Sequence, residues 1–170
     1  FTISSAVEPR TVTIGKKSLK YVPLFGQLYW LSGNILIDRK NKSKALNTML
    51  AAAERIRRNN LSVWMFPEGT RSYGRGLLPF KMGAFHIAME ANVPLVPVCM
   101  SSTHGQFKLN RWNNGKVIVQ LIAPQALPDK EQMNIRQFAE KLHQQMQAQI
   151  ALLDSELGND YTASINTAKE

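Results

Sequence analysis

The sequence predicts an α/β fold, a largely parallel or mixed sheet flanked by helices, and two observations carry that reading. Short apolar runs rich in β-branched residues alternate along the chain with longer stretches whose apolar residues recur at helical spacing, the order that builds strand–helix–strand units. Several of the short runs are apolar throughout rather than every second residue, as in Leu61-Ser62-Val63-Trp64-Met65-Phe66 and Val93-Pro94-Leu95-Val96-Pro97-Val98-Cys99-Met100, which is the pattern of strands covered on both faces.

Taken in order, residues 11–15 read as a strand stopped by Gly15, and residues 16–32, with Pro23 and Gly26, as short helical turns. Residues 34–39 form a second strand ending in charge. Residues 43–58 are predicted helical because Leu46, Met49, Leu50, Ala53 and Ile56 share a face, with Asn59-Asn60 suited to the exit. Residues 61–66 make a buried strand that Pro67, lacking an N–H for the ladder, should stop. Residues 73–80 hold two glycines and a proline and read as a loop, 82–92 as a helix, and 95–100 as a buried strand. Residues 116–122 alternate poorly and are expected to be a buried strand. Residues 134–153 form a long amphipathic helix on Ile135, Phe138, Leu142, Met146, Ile150 and Leu153.

Composition narrows the function classes. With 170 residues, 44% of them hydrophobic, the chain fits one domain with a substantial core and is not a disordered segment. Its one cysteine, Cys99, excludes an internal disulfide and a cysteine-based zinc site; its apolar neighbours mark it as a buried, inert thiol, consistent with a reducing setting. No apolar run reaches the ~20 residues that span a bilayer. The net charge of +9 is uneven: residues 1–127 hold 17 lysines and arginines against 5 acids, residues 128–170 hold 4 against 7. Such a field suits anionic headgroups, phosphorylated substrates, acidic carrier proteins or nucleic acid. Nucleic acid is disfavoured, because the charge comes without zinc spacing, an RNP-like aromatic string or a recognition helix.

The richest stretch is Phe66-Pro67-Glu68-Gly69-Thr70-Arg71-Ser72, a carboxylate and a guanidinium on a turn directly after a strand. Gly69 permits close backbone approach or a positive φ, and Arg71 offers the planar donor fork that matches phosphate. The plain alternative is that Glu68 and Arg71 simply pair with each other. Phe25, Leu28, Tyr29, Trp30 and Leu31 form an apolar cluster for which core packing is the default over contact with membrane or an acyl chain.

The string FPEGTRS resembles the third sequence block of the glycerolipid acyltransferases, which make phosphatidic acid from lysophosphatidic acid. Gly33-Asn34-Ile35-Leu36-Ile37-Asp38-Arg39 resembles their second block and Val93–Val98 their fourth, Gly15-Lys16-Lys17-Ser18-Leu19 with Pro23 and Gly26 looks like the lysine-bearing segment upstream, and Lys81-x-Gly83-Ala84 fits the link between blocks three and four. Together these cover residues 11 to 122, in the wording of the family's bacterial members. The resemblance implies one acyltransferase domain over residues 1–157, and the polar composition of 158–170 reads as a disordered tail. The resemblance also implies transfer of a fatty acyl group from acyl-CoA or acyl carrier protein, as co-substrate with no cofactor or metal, to the sn-2 hydroxyl of lysophosphatidic acid. The expected place is the cytoplasmic face of the bacterial inner membrane, with anionic lipid as a partner. Arg71 would hold the acceptor phosphate, Arg39 and Lys16 would add contacts, Gly69 and Thr70 would supply backbone and hydroxyl donors, and Glu68 would orient Arg71 or the loop rather than move a proton.

The family's first block, His followed by four residues and Asp, is missing. Five positions after His86, His104 and His143 stand Ala91, Leu109 and Ala148. The expectation is that this general base and its orienting carboxylate lie upstream of Phe1, leaving no catalytic pair in this chain. An alcohol attacks a thioester slowly until a base takes its proton, and imidazole is suited to that near neutral pH. The competing reading is a phospholipid-binding module of the same fold without catalysis.

Overall fold

The computed structural model of the protein describes residues 7–38, 42–103, 115–128 and 134–158. They fall into two compact units. One comprises Val7–Pro67 and Met82–Pro94; the other takes in Glu68–Lys81 and the described residues of Leu95–Glu170. The tail expected from residue 158 lies, beyond Gly158 itself, outside the described residues.

The first unit is a three-stranded parallel sheet with helices. Strand β1 (Thr11–Lys16) runs between β2 (Ile35–Ile37) and β3 (Ser62–Trp64). Ile14 pairs with Ile35 and Lys16 with Ile37 on one side, and Val12 pairs with Val63 on the other. A 3-10 turn (Lys17–Tyr21) and helix α1 (Phe25–Leu31) connect β1 to β2, and α2 (Lys42–Asn59) connects β2 to β3, the long crossovers that parallel strands require. Helix α3 (Gly83–Ala91) ends on Asn92 in the left-handed conformation, which asparagine tolerates at a helix exit. The core forms where alanines let α2 approach: Val12, Ile35 and Ala52 are buried together, and Ala53 and Ile56 of α2 pack with Ile87 and Ala91 of α3.

Three expectations fail in this unit. Leu50, expected on the apolar face of α2, is exposed. The run 61–66 is not a buried strand. Only Ser62–Trp64 is strand, half-buried at best, and Phe66 is 61% exposed. The reason is position: among the described residues β3 has one strand neighbour, β1, and stands at the edge of its sheet. The apolar cluster on α1 is not core either. Phe25, Leu28, Trp30 and Leu31 are exposed and only Gly26 of the helix is buried.

The second unit holds an antiparallel pair, β4 (Val98–Met100) with β5 (Val119–Leu121), extended by a single bridge between Leu95 and Gln125. The strand expected over 95–100 shrinks to three residues, with Val96 exposed, because Pro97 breaks the ladder. The buried strand expected over 116–122 is corrected as well. Gln120 and Leu121 are exposed, since among the described residues β5 has β4 alone beside it. Helix α4 (Ile135–Glu156) starts on a capping box in which the Asn134 side chain and Gln137 satisfy each other's backbone N–H groups. Its buried residues are Ala139, Leu142, Met146, Leu153 and Asp154, and the expected members Ile135, Phe138 and Ile150 are half-buried.

Candidate functional site

The boundary between the units falls between Pro67 and Glu68, so the motif turn Glu68–Ser72 belongs to the second unit. Gly69 takes φ +70°, a left-handed turn that a side chain would strain. Tyr73, Gly74 and Gly76 also have positive φ, so the loop expected over 73–80 is a sequence of tight reversals. It is held at defined points. The Leu78 N–H donates to Glu68 Oε2 at 2.8 Å, and the Arg75 Nε–H donates to the Ser72 carbonyl at 2.8 Å. His143 of α4 meets the same loop: its Nε2 lies 3.3 Å from the Leu77 carbonyl oxygen, and its ring stands edge-on to Phe80 with centroids 4.8 Å apart.

This geometry separates the two roles open to Glu68. Among the described residues no hydrogen bond or ion pair joins Glu68 to Arg71; the carboxylate is spent on the loop backbone. Glu68 and Gly69 are half-buried, while Thr70 and Arg71 are exposed. The turn therefore leaves the Arg71 guanidinium exposed, beside a carboxylate engaged with the loop backbone. His143 is a loop contact that sequence spacing did not reveal. Its only signal was its place on the buried side of the α4 pattern, one residue beyond Leu142.

Lys16 belongs to the first unit, exposed at the end of β1. Arg39 lies outside the described residues. Beside Lys16, Lys17 Nζ stands 3.5 Å from Asp38 Oδ2. A groove of about 600 Å³ opens here, lined by Lys17, Lys20, Trp30, Asn34, Asp38 and Arg55 with Thr48 and Ala52 of α2 among the rest. One network holds its lining residue Asn34: Asn34 Oδ1 accepts from Thr13 N at 2.8 Å and from Thr13 Oγ1 at 2.9 Å, Thr13 Oγ1 lies 2.6 Å from Tyr29 OH, and Asn34 Nδ2 donates to the Tyr29 carbonyl at 3.1 Å. Burial pushes the Tyr29 phenol up from its ordinary value, against the opposing hydrogen bond to Thr13. Gly26 allows α1 to sit this close, since a Cβ there would fall on the carbonyl oxygens of Leu19 and Lys20. Arg57 and Arg58 are engaged elsewhere, both hydrogen-bonded to Glu54.

Of the other histidines, His86 is exposed on α3 and His104 lies outside the described residues. Cys99 is fully buried, its thiol facing the Met146 carbonyl, and desolvation pushes it up to about 11. Asp154 is buried too, accepting from Ser102 N at 2.6 Å and Ser102 Oγ at 2.7 Å, a pairing that fastens α4 to the strand end after β4. Among the described residues no three His, Cys, Asp or Glu side chains group as metal ligands, and no helix is long and apolar enough to cross a membrane.

Comparison with known proteins bears on both fold and family. A family model described as Acyltransferase matches residues 1–101. A 1-acyl-sn-glycerol-3-phosphate acyltransferase of Haemophilus influenzae is 55% identical over 156 residues, covering 92% of this chain and 65% of that protein. The protein of the same name from Escherichia coli K12 is 50% identical, covering 92% of this chain and 64% of that one. The chain thus spans less than two-thirds of the length of these relatives. In fold it is similar to the crystal structure of a 1-acyl-sn-glycerophosphate acyltransferase from Thermotoga maritima, with a TM-score of 0.59 and 23% identity over 84% of this chain and 57% of that chain. The match of the model over more than half of the sequence places this chain in the acyltransferase family.

Proposed function

We propose that this chain belongs to an acyltransferase that moves a fatty acyl group from acyl-CoA or acyl carrier protein to the sn-2 hydroxyl of lysophosphatidic acid, giving phosphatidic acid for phospholipid synthesis at the cytoplasmic face of the bacterial inner membrane. The observation that carries the reading is the turn Glu68–Ser72: a guanidinium left outward by a carboxylate that is committed to the loop instead. Arg71 takes the acceptor phosphate through its donor fork, and Gly69 and Thr70 offer backbone and hydroxyl donors beside it. Lys16 and Arg39 add positive charge to the acceptor pocket. The names of the relatives support the choice of acceptor. In the reaction the acceptor hydroxyl loses its proton to a base, its oxygen bonds the thioester carbonyl carbon, and the carbon–sulfur bond breaks to release the carrier thiol. Anchoring the phosphate fixes where that hydroxyl stands, which is the contribution of this chain's residues.

A second reading, a phospholipid-binding module of the family without catalysis, is favoured by one observation: none of His86, His104 and His143 is followed five positions on by a carboxylate. The experiment that separates the two uses the product of the complete reading frame, incubated with acyl-CoA or acyl carrier protein and lysophosphatidic acid. Phosphatidic acid formed from lysophosphatidic acid, with slower formation of phosphatidylcholine when lysophosphatidylcholine replaces it as acceptor, supports the enzyme. Saturable lysophosphatidic acid binding with no product from either donor supports the module.

A further inference from the structure

The strongest unexplained feature of the first unit is the surface made by the end of the 3-10 turn and helix α1. Tyr21 and Leu24 are 76% exposed, Leu31 71%, and Leu28 and Trp30 63%. Exposed apolar residues scattered singly need no explanation, but five within eleven positions form a patch that water does not favour. The patch is not a frayed end. It is presented at a fixed angle by the Thr13–Asn34–Tyr29 network and by the close approach at Gly26. Lys17 and Lys20 stand beside it in the same groove as Trp30, whose lining holds three cations, Lys17, Lys20 and Arg55, against one acid, Asp38, 3.5 Å from Lys17 Nζ.

We infer that Tyr21–Leu31 is a docking surface for an anionic bilayer, with the leucines and Phe25 entering the acyl boundary, Trp30 and Tyr21 at headgroup level, Lys20 on lipid phosphate, and the half-exposed Lys17 shared between lipid phosphate and Asp38. The composition fits that occupant on each count. Leucine and phenylalanine gain by leaving water, tryptophan and tyrosine favour the interface, and lysine stems reach outward from an embedded backbone. A second copy of the chain fits poorly, because an isologous contact would bring Lys17 and Lys20 against their own counterparts. The inference rests on the proposed lipid-modifying function only for its context; the surface is defined by exposure and charge. It also makes binding two-part: attraction that salt screens, and insertion that salt leaves in place.

The test uses the full chain with vesicles of phosphatidylglycerol and phosphatidylethanolamine, against phosphatidylcholine vesicles, in the absence of acyl donor. On anionic vesicles the fluorescence should shift to the blue and be quenched by lipid brominated near the carbonyl end, and both changes should vanish in Trp30→Phe. A bound fraction should persist at about 0.5 M salt, where charge attraction is largely screened. The triple variant Leu24→Ser, Leu28→Ser, Leu31→Ser should lower the partition coefficient roughly 30-fold or more, since each leucine kept in water forfeits a large part of its transfer energy. Lys17→Gln with Lys20→Gln should bring anionic binding towards the neutral-vesicle value. Because the leucines are exposed, the triple variant should keep the parent's circular dichroism and melting temperature; if it unfolds, the Trp30 quenching of the parent chain decides. Binding without Trp30 quenching, or complete release by salt, would overturn the inference. So would a Trp30 already shielded without lipid, whether sedimentation then finds a dimer or a monomer. Acyl transfer from the complete reading frame to a short-chain, monomeric acceptor is read separately, so the docking surface and the proposed reaction can each fail without the other.

Discussion

Removing the Glu68 carboxylate should loosen the loop it holds without touching Arg71 directly. Among the described residues Glu68 has one partner, the Leu78 N–H at 2.8 Å across a span of ten residues, in a half-buried setting. A hydrogen bond to a charged acceptor contributes ~1.5–3 kcal/mol when well shielded, and partial exposure brings the expectation for Glu68→Ala down to about 1–2 kcal/mol. Glu68→Gln keeps a carbonyl acceptor and should cost about half of that. The assay is urea unfolding of both variants, with amide hydrogen exchange read at Leu78. Exchange there should quicken by the factor that the free-energy loss implies, about tenfold for each 1.4 kcal/mol. A double-mutant cycle with Arg71→Ala should give a coupling within about 0.5 kcal/mol of zero, as for side chains that do not interact. In the acyl-transfer assay the acceptor KM should rise, because the turn bearing Arg71 loses its base. Unchanged Leu78 exchange together with a coupling above about 1 kcal/mol would refute the reasoning and make Glu68 and Arg71 an ion pair.

Arg71→Lys should raise the acceptor KM by on the order of tenfold while the donor KM stays put, since the planar fork is lost but the charge remains and the site is exposed; steady-state kinetics with each substrate varied will show it. Gly26→Ala should destabilise the first unit by several kcal/mol or displace α1, because its Cβ would collide with two backbone carbonyl oxygens; thermal unfolding and the near-ultraviolet signal of Trp30 measure it. Cys99 should resist thiol reagents in the folded protein at pH 8 and react fully after denaturation, since it is buried and pushed up to about 11. The sign follows for stability as well: from about pH 9 the unfolded thiol ionises while the folded one stays neutral, so stability falls as pH rises through the interval up to 11, and Cys99→Ala should flatten that part of the profile.

The sequence by itself determined the alternation of strands and helices, the helical faces on Ala53 and Ile56 and on Leu142, Met146 and Leu153, the burial of Cys99, and the motif turn with Arg71. These are matters of local periodicity and turn chemistry, which the residues carry wherever the chain sits. Tertiary structure decided what periodicity does not contain. The runs 61–66 and 116–122 read as buried because they are apolar, yet β3 and β5 stand at sheet edges, and edge position depends on strand order rather than on composition. Leu28, Trp30 and Leu31 look like core in one dimension and are turned outward in three, because the Asn34–Tyr29–Thr13 network and Gly26 fix how α1 lies. In sequence, Glu68 reads either as a simple pair with Arg71 or as a residue that orients Arg71 or the loop. Only the folded loop, which returns Leu78 N–H to its carboxylate, assigned it to the backbone and left Arg71 facing outward.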